Sequence, residues 1–153
     1  MRLESHMPDP ARLRLRPACL DDADLLLAWR NDATTRQASH DTAPVSPEVH
    51  VAWLSKTLSN PHRQLYVAER DGVPVGTVRV DVQGAGHLLS WTVAPTARGS
   101  GVGSAMVAKL ASGMQGPLWA EIKAGNAASM RIAQAAGMAL RNERDGVLYY
   151  QRG

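Results

Sequence analysis

Apolar and polar positions form short runs along the chain, and these runs predict strands separated by turns and helices. Leucines alternate with arginines over residues 12–16, which predicts a first strand with one buried face. Two further strand-like runs, 65–69 and 73–82, flank Asp71-Gly72, a dipeptide typical of tight hairpins. The remaining predicted strands are residues 87–94, 118–122, 138–141 and 147–150.

Four helices are predicted from their start and stop signals. They run from a cap at Asp21 or Asp22 to about Arg30, from Ser46-Pro47 to Asn60, from Gly101 to near Gly113, and from Asn126 to Gly137. In the second helix, Val49, Trp53 and Leu58 are expected on or near one face. Residues 31–45 are polar without periodicity and predict a long loop, long enough to cover a substrate.

No internal repeat or linker interrupts this pattern, so a single α+β domain is expected over residues 8–153. Residues 1–7 contain Ser-His-Met ahead of a second plausible start and are interpreted as an expression-vector remnant. The composition, 44% hydrophobic and 20% charged over 153 residues, is ordinary for a globular protein.

Charge and cysteine usage narrow the function classes. The net charge of +3 is spread without blocks of like charge, which favours a phosphorylated small ligand over nucleic acid. No apolar run approaches the roughly 18 residues of a membrane span. Cys19, the only cysteine, is expected to be a buried structural thiol in a cytoplasmic protein. No His, Cys and Asp cluster has metal-ligand spacing, so no metal is expected.

The strongest local signal is a glycine-rich turn between a strand and a helix. The apolar run 88–94 stops at Pro95, and the following helix has Val102, Met106 and Leu110 four residues apart. A helix N-terminus presents unpaired N–H groups and a positive dipole end, and glycines let the backbone approach phosphate oxygens. A phosphate or pyrophosphate group is therefore expected to bind here.

Two other phosphate-binding motifs fail on spacing. A dinucleotide-binding fingerprint starting at Gly99 would need glycine at position 104, which is Ser104. An ATP-binding P-loop would need a Gly-Lys pair followed by Ser or Thr, and the sequence contains none.

The order of elements resembles the GNAT N-acetyltransferase family. The run Arg98-Gly99-Ser100-Gly101-Val102-Gly103 resembles the family's acetyl-CoA loop, written as Arg or Gln, two residues, Gly, one residue, then Gly or Ala. Asn126, opening a helix that ends in Ala136-Gly137-Met138, resembles a second family motif. The two motifs and the element order cover most of residues 11–150. The resemblance implies a GNAT fold, with a mixed, mostly antiparallel sheet of six to seven strands flanked by about four helices.

This resemblance also implies how acetyl-CoA, the cosubstrate, would be held. The strand near its end would separate from the next strand after a bulge, so that free backbone groups pair with the pantetheine arm. The Val93 N–H would polarise the thioester carbonyl. The implied acetyl-CoA-binding residues are Trp91, Thr92, Val93, Arg98, Gly99, Ser100, Gly101, Val102, Gly103, Ser104, Asn126 and Ser129.

The groups that would move protons differ from those usual in the family. Many relatives carry a glutamate on the strand that here reads His87-Leu-Leu-Ser-Trp, and a tyrosine where this chain has Ala133. The candidate catalytic residues are Glu121, Ser129 and His87, although ordered water can remove the proton without a dedicated base. Asn126 and Ser129 also fit a purely structural helix cap.

The N-terminal half is similar to acetyltransferases acting on nucleotide-linked 4-amino sugars, the pseudaminic-acid-pathway type. Residues 28–32, 35–36 and 50–54 carry this similarity, and they nominate Arg30, His50 and Trp53 as substrate-binding residues. Ribosomal-protein N-terminal acetyltransferases share part of the pattern. The sequence therefore predicts an acetyl-CoA-dependent N-acetyltransferase for a small-molecule amine, as a monomer or homodimer. A protein N-terminal acetyltransferase and a non-catalytic acyl-CoA-binding module remain alternatives.

Overall fold

A computed structural model describes residues 12–153, so the interpretation of residues 1–7 lies outside the described residues. The strands are β1 (Leu13–Pro17), β2 (Arg63–Arg70), β3 (Val73–Gln83), β4 (Gly86–Val93), β5 (Leu118–Lys123), β6 (Ala139–Arg144) and β7 (Val147–Arg152). The helices are α1 (Ala23–Asn31), α2 (Ala33–Ala38), α3 (Pro47–Ser59), α4 (Val102–Ser112) and α5 (Ala127–Ala135). The predicted α+β fold class is confirmed.

The strands form one seven-stranded sheet in the order β1-β2-β3-β4-β5-β7-β6. All neighbouring pairs are antiparallel except β4 and β5, which are parallel. The Asp71-Gly72 hairpin joins β2 to β3 as predicted, and Asp71 and Gly72 both have positive φ. This geometry is the one that hairpin turns require.

The two faces of the sheet carry different helices. Val93 and its β3 partner Gly76 share one face, because directly opposed residues point to the same side. A Cβ built on Gly76 would lie 2.8 Å from Met106 Sδ of α4, so α4 covers that face. Trp91, two residues before Val93, contacts α5 on the same side. We call this the α4/α5 face.

The opposite face carries α2. On β5, Leu118, Ala120 and Ile122 are buried, and Leu118 pairs with His87 in register on the α4/α5 side. Glu121 and Lys123 alternate to the other side, where they meet residues of α2 and the segment after it. We call this second side the α2 face.

The predicted loop at residues 31–45 is wrong in part, because it contains α2. Asp32 caps this helix by accepting the Thr35 N–H at 3.2 Å. No residue of α2 is buried, so the helix has no apolar stripe to reveal it in the sequence.

The predicted face of α3 is wrong in part. Trp53 is partly buried and packs against the core, but Val49 is 62% exposed and Leu58 is 38% exposed. The fully buried positions, His50, Leu54 and Thr57, follow helical spacing, and two of them are polar. An assignment from apolar residues alone therefore identified only one residue of the buried face.

Cys19 is exposed, which corrects the expectation of a buried thiol. Its backbone N–H donates to Asp22 Oδ2 at 2.9 Å in a short 3₁₀ turn over Leu20–Asp22. Asp22 consequently does not cap α1 with its side chain, contrary to the sequence prediction.

Asp22 instead joins three elements. Arg16 of β1 donates to both Asp22 carboxylate oxygens, at 2.8 and 2.9 Å, and to Glu69 of β2 at 2.8 Å. The Arg16 hydrogen bonds lower the pKa of Asp22 and outweigh its desolvation. The buried carboxylate therefore holds the start of α1 against the sheet edge.

We predict that Asp22→Asn lowers the free energy of unfolding by about 1–3 kcal/mol at pH 7, because it weakens charge-assisted hydrogen bonds to a buried group. The folded-state pKa is depressed, so the contribution is present at neutral pH and is lost as the pH falls below about 4. Urea unfolding at pH 7 and pH 3 measures both effects. Asp21→Asn, on the exposed neighbouring residue, should change little; equal losses in both variants would contradict the assignment.

Candidate active site

The parallel strands β4 and β5 pair only at their first residues. His87 pairs with Leu118 and Leu88 with Trp119, and beyond these two positions the strands separate. The separation implied by the resemblance is therefore observed. The bulge is not, because β4 remains in continuous register with β3 from Gly86 to Val93.

The opening exposes backbone groups of β4. The His87 N–H donates toward β5, to Pro117 O, whereas the Ala94 N–H donates toward β3, to Val75 O. Because N–H direction alternates along a strand, the N–H groups of Trp91 and Val93 point into the opening. These two amides lie past the last β4–β5 pair and are available to an extended ligand.

The glycine turn enters α4 directly after this strand. Gly99 and Gly101 have φ of +75° and +79°, and a Cβ built on either would meet no atom within 4 Å. Gly101 is the N-cap of α4 and supplies no capping side chain. The first N–H groups of α4 therefore have no capping side chain at the N-cap, which suits an anion.

Gly103 has a different role from the two turn glycines. A Cβ at Gly103 would lie 2.6 Å from Ile132 Cδ1 and 2.9 Å from Val93 Cγ2. This glycine lets α4 approach both α5 and the end of β4. Gly103 therefore sets the distance of α4 from α5 and from the end of β4.

Arg98, the first residue of the loop motif, turns away toward α2. Its guanidinium donates to the Asp32 carboxylate and, at 3.1 Å, to Thr35 Oγ1. The Arg98 hydrogen bond is the main cause of the lowered pKa of Asp32. Arg98 thus links the glycine turn to the N-terminus of α2.

Trp91 and Ser129, nominated separately from the sequence, are in contact. Trp91 Nε1 donates to Ser129 Oγ at 3.1 Å, joining β4 to the first turn of α5. Asn126 Oδ1 accepts the Ser129 N–H at 3.1 Å, so the predicted cap of α5 is present. Ser129 supplies no reciprocal capping bond among those observed, and its hydroxyl faces the indole instead.

Glu121 lies on the α2 face of β5, in the part that has separated from β4. Its Oε1 is 3.6 Å from His40 Nε2, and Lys123 Nζ donates to Gln37 O at 3.1 Å. Glu121 also lines an open cavity of about 250 Å³. The other lining residues are Gln83, Leu88, Trp119, Ala120, Arg141, Tyr149, Tyr150 and Gln151.

The three nominated substrate residues lie together, but largely covered. His50 is 4% exposed, its ring is 5.6 Å from that of Trp53, and burial followed by the Arg30 charge lowers its pKa. Arg30 Nη2 donates to Asp41 O at 2.9 Å, while Arg30 Nη1 and His50 Nε2 are buried without a described partner. Substrate contact by His50 would require the segment over it to move.

His87 lies away from the other candidate catalytic residues. It belongs to the closed end of the β4–β5 pair, four residues before Trp91, and its Nδ1 is buried without a described partner. Ala133, where relatives carry tyrosine, is completely buried in α5. The structure therefore groups Trp91 with Ser129, and places Glu121 across the opening on the α2 face.

Sequence reasoning missed residues that reach the site from distant elements. Arg70, at the end of β2, donates to Ser100 Oγ at 3.2 Å, and Ser100 donates to Ala97 O at 2.6 Å. His40 lies 81 positions from Glu121 in the sequence, so no local pattern connects the two residues. Strand pairing brings Arg70 to the loop, and no local pattern signals it.

Comparison with known proteins identifies the family. Residues 12–139 match the sequence profile described as the acetyltransferase (GNAT) domain. The chain belongs to the GNAT acetyltransferase family. It is thus an acetyl-CoA-dependent N-acetyltransferase, and the alternative of a non-catalytic acyl-CoA-binding module is not supported.

Solved structures of GNAT proteins share the fold. A ribosomal-protein-alanine N-acetyltransferase from Brucella melitensis is 28% identical, with a TM-score of 0.73 over 91% of this chain and 98% of that one. A Salmonella typhimurium putative acetyltransferase, solved with acetyl-CoA, is 20% identical, with a TM-score of 0.73 over 92% and 93%. A domain from Methanocaldococcus jannaschii is 18% identical, with a TM-score of 0.79 over 92% and 97%. No curated protein matches the chain.

Two searches of the described residues gave negative results. Among residues 12–153, no helix has the length and hydropathy needed to span a membrane. Over the same residues, no group of three or more His, Cys, Asp or Glu side chains is arranged to hold a metal ion.

We predict that Gly103→Leu destabilises the protein by about 1–3 kcal/mol, because the side chain would overpack Ile132 and Val93. It should also weaken acetyl-CoA binding by separating α4 from α5. Thermal unfolding and calorimetric titration measure the two effects. Gly113→Leu is the control at the other end of α4, where the nearest atom to an added Cβ is 3.8 Å away. Equal behaviour of the two variants would show that Gly103 does not set this spacing.

Proposed function

We propose that acetyl-CoA lies across the end of β4, with its pyrophosphate on the glycine turn and its pantetheine arm in the β4–β5 opening. The observation that carries this proposal is the pair of free amides at Trp91 and Val93, followed after a 3₁₀ turn at Pro95–Ala97 and the glycine turn by a helix N-terminus without a capping side chain. The turn residues from Arg98 to Ser104 supply backbone N–H groups to the phosphates. Arg98 is held by Asp32, so its charge acts near the turn rather than free in solvent.

The Val93 N–H then donates to the thioester carbonyl and stabilises the oxyanion formed on attack. Trp91 and Thr92 line the arm together with α5, where Asn126 fixes the first turn. Ser129 lies beside the arm through its contact with Trp91 and is placed to donate toward the departing sulfur. This arrangement requires few particular side chains, because backbone N–H groups bind the phosphates and the thioester carbonyl.

The acceptor amine approaches from the α2 face, where Glu121 lines an open cavity next to the separated part of β5. A carboxylate there attracts the ammonium form of an amine and can take part in removing its proton. His87 is farther from this route, at the closed end of the pair, and is the weaker candidate for the base.

For the acceptor itself, the residues at 28–36 and 50–54 favour a nucleotide-linked amino sugar. Arg30 would contact the phosphates of this acceptor, Trp53 would provide an apolar wall, and His50 would lie near the nucleobase. Arg30 Nη1 has no described partner but is buried, so this contact requires the segment that carries Asp41 to move, as for His50. None of these three residues lines the open cavity beside Glu121, so the acceptor would extend from them to Glu121.

A peptide N-terminus is the second candidate acceptor. The 28% identity to a ribosomal-protein-alanine N-acetyltransferase over almost the whole chain favours it. The cavity is also open, which would let a chain extend out of it.

We predict that Gly101→Glu abolishes measurable acetyl-CoA binding, because it puts a carboxylate against the pyrophosphate and strains a residue at φ +79°. Isothermal titration with acetyl-CoA measures the affinity. Gly84→Glu is the matched control, since Gly84 also has positive φ and open space but lies in the β3–β4 turn at the other end of β4. Unchanged affinity in Gly101→Glu would refute the assigned acetyl-CoA site.

A thiol-release screen over UDP-amino sugars, polyamines, amino acids and short peptides tests the acceptor. We expect turnover with a UDP-amino sugar, and Arg30→Met should then raise the acceptor KM about tenfold or more, as for the loss of a charged hydrogen bond. The KM for acetyl-CoA should stay unchanged. Turnover with peptides alone would establish the second candidate and overturn the first.

A further inference from the structure

We propose that His40 is the proton acceptor for the attacking amine, and that Glu121 positions it. The inference rests on the proposed function, since it takes the acceptor to enter beside Glu121. His40 lies on the segment that follows α2, far from any recognised motif in the sequence. Its imidazole Nε2 is 3.6 Å from Glu121 Oε1.

The segment that carries His40 is anchored on both sides of it. Before it, Gln37 O accepts from Lys123 of β5 at 3.1 Å. After it, Asp41 O accepts from Arg30 at 2.9 Å and Thr42 O from Arg36 at 3.3 Å. His40 therefore occupies a defined position over β5, although its own side chain is 64% exposed.

Two hydrogen bonds between Asn31 and Val45 also close the segment as a whole. Asn31 Nδ2 donates to Val45 O at 2.8 Å, and the Val45 N–H donates back to Asn31 Oδ1 at 2.7 Å. These two bonds join the ends of residues 31–45. A closed and tethered segment loses less entropy when it holds a side chain over a site.

The contact with Glu121 indicates which ring nitrogen of His40 accepts the proton. When Nε2–H donates to Glu121 in the substrate complex, the other ring nitrogen, Nδ1, is the basic atom that faces the acceptor. The separation is about 0.6 Å longer than a usual hydrogen bond, and catalytic hydrogen bonds commonly tighten when substrate binds.

Several other charged or titratable groups surround the pair. Lys123 lies beside Glu121 on β5, Tyr149 pairs with Glu121 from β7, and Arg141 of β6 lines the same cavity. Arg30 and Asp41 lie on the His40 side. Among these side-chain types, imidazole is the one that exchanges a proton most readily at neutral pH.

The proton balance is simple. The acceptor ammonium gives one proton to His40 Nδ1 and becomes a neutral amine, whose lone pair forms the new C–N bond at the thioester carbon. The tetrahedral intermediate then loses the CoA thiolate as its C–S bond breaks, and the nitrogen loses its second proton. One proton ends on the thiolate and the other returns to solvent from His40.

The test is the pH profile of kcat/KM for the acceptor. We expect His40→Gln to lose about 100-fold at pH 7, a typical contribution of a proton acceptor. The ratio of wild-type to variant kcat/KM should fall toward one as the pH rises, because the amine then becomes neutral in solution. Glu121→Gln should show a smaller loss of the same shape, and the double variant should lose less than the product of the two single losses, because the two residues act together in accepting the proton.

His62→Gln is the matched control, since His62 is an exposed histidine in the turn before β2. It should leave the profile unchanged, and all variants should keep the wild-type KM for acetyl-CoA and thermal midpoint. An unchanged profile in His40→Gln would overturn the proposal. So would a loss that is equal at every pH, because that indicates a structural role.

Failure of the proposed function gives a different result. If no amine in the screen is acetylated, the same variants are compared for hydrolysis of acetyl-CoA, where water is the acceptor and must also lose a proton. His40→Gln should then slow thiol release about tenfold or more at pH 7. An unchanged hydrolysis rate would overturn the role of His40 by itself.

Discussion

The separation of β4 from β5 is the constraint on which the rest of the site depends. These are the two parallel neighbours in an otherwise antiparallel sheet, and only two residue pairs hold them together. Past that point, the amides of Trp91 and Val93 have no strand to satisfy them. Unpaired backbone groups at the centre of a sheet are costly unless a ligand or water meets them, so an extended ligand can satisfy these amides.

The helices around the opening keep it at a fixed width. Gly103 lets α4 approach Val93 and α5, while the bond from Trp91 to Ser129 ties the far wall to β4. On the other face, residues 31–45 contact two parts of the proposed site. Asp32 and Thr35 accept hydrogen bonds from Arg98 of the glycine turn, Gln37 O accepts one from Lys123 of β5, and His40 lies 3.6 Å from Glu121. This segment therefore connects the proposed acetyl-CoA side with the proposed acceptor side.

Local chemistry made part of the fold predictable. The Asp71-Gly72 hairpin, the uncapped glycine start of α4 and the Asn126 cap of α5 each depend on a few adjacent residues, and the structure has all three. Predictions failed where burial contradicts residue type. His50 is buried in α3 while Val49 is exposed, and α2 forms without an apolar face because Asp32 caps it.

By itself, the sequence determined the element order apart from α2, the hairpin and the glycine turn before α4, because backbone conformation at glycine, proline and capping residues is set locally. The same local signals indicated the GNAT family, whose members use acetyl-CoA. Only the tertiary structure decided which side chains share the site. Arg98 with Asp32, Trp91 with Ser129, and His40 with Glu121 are 66, 38 and 81 positions apart. Strand pairing and helix packing bring each pair together, and no local pattern records a contact made over such a distance.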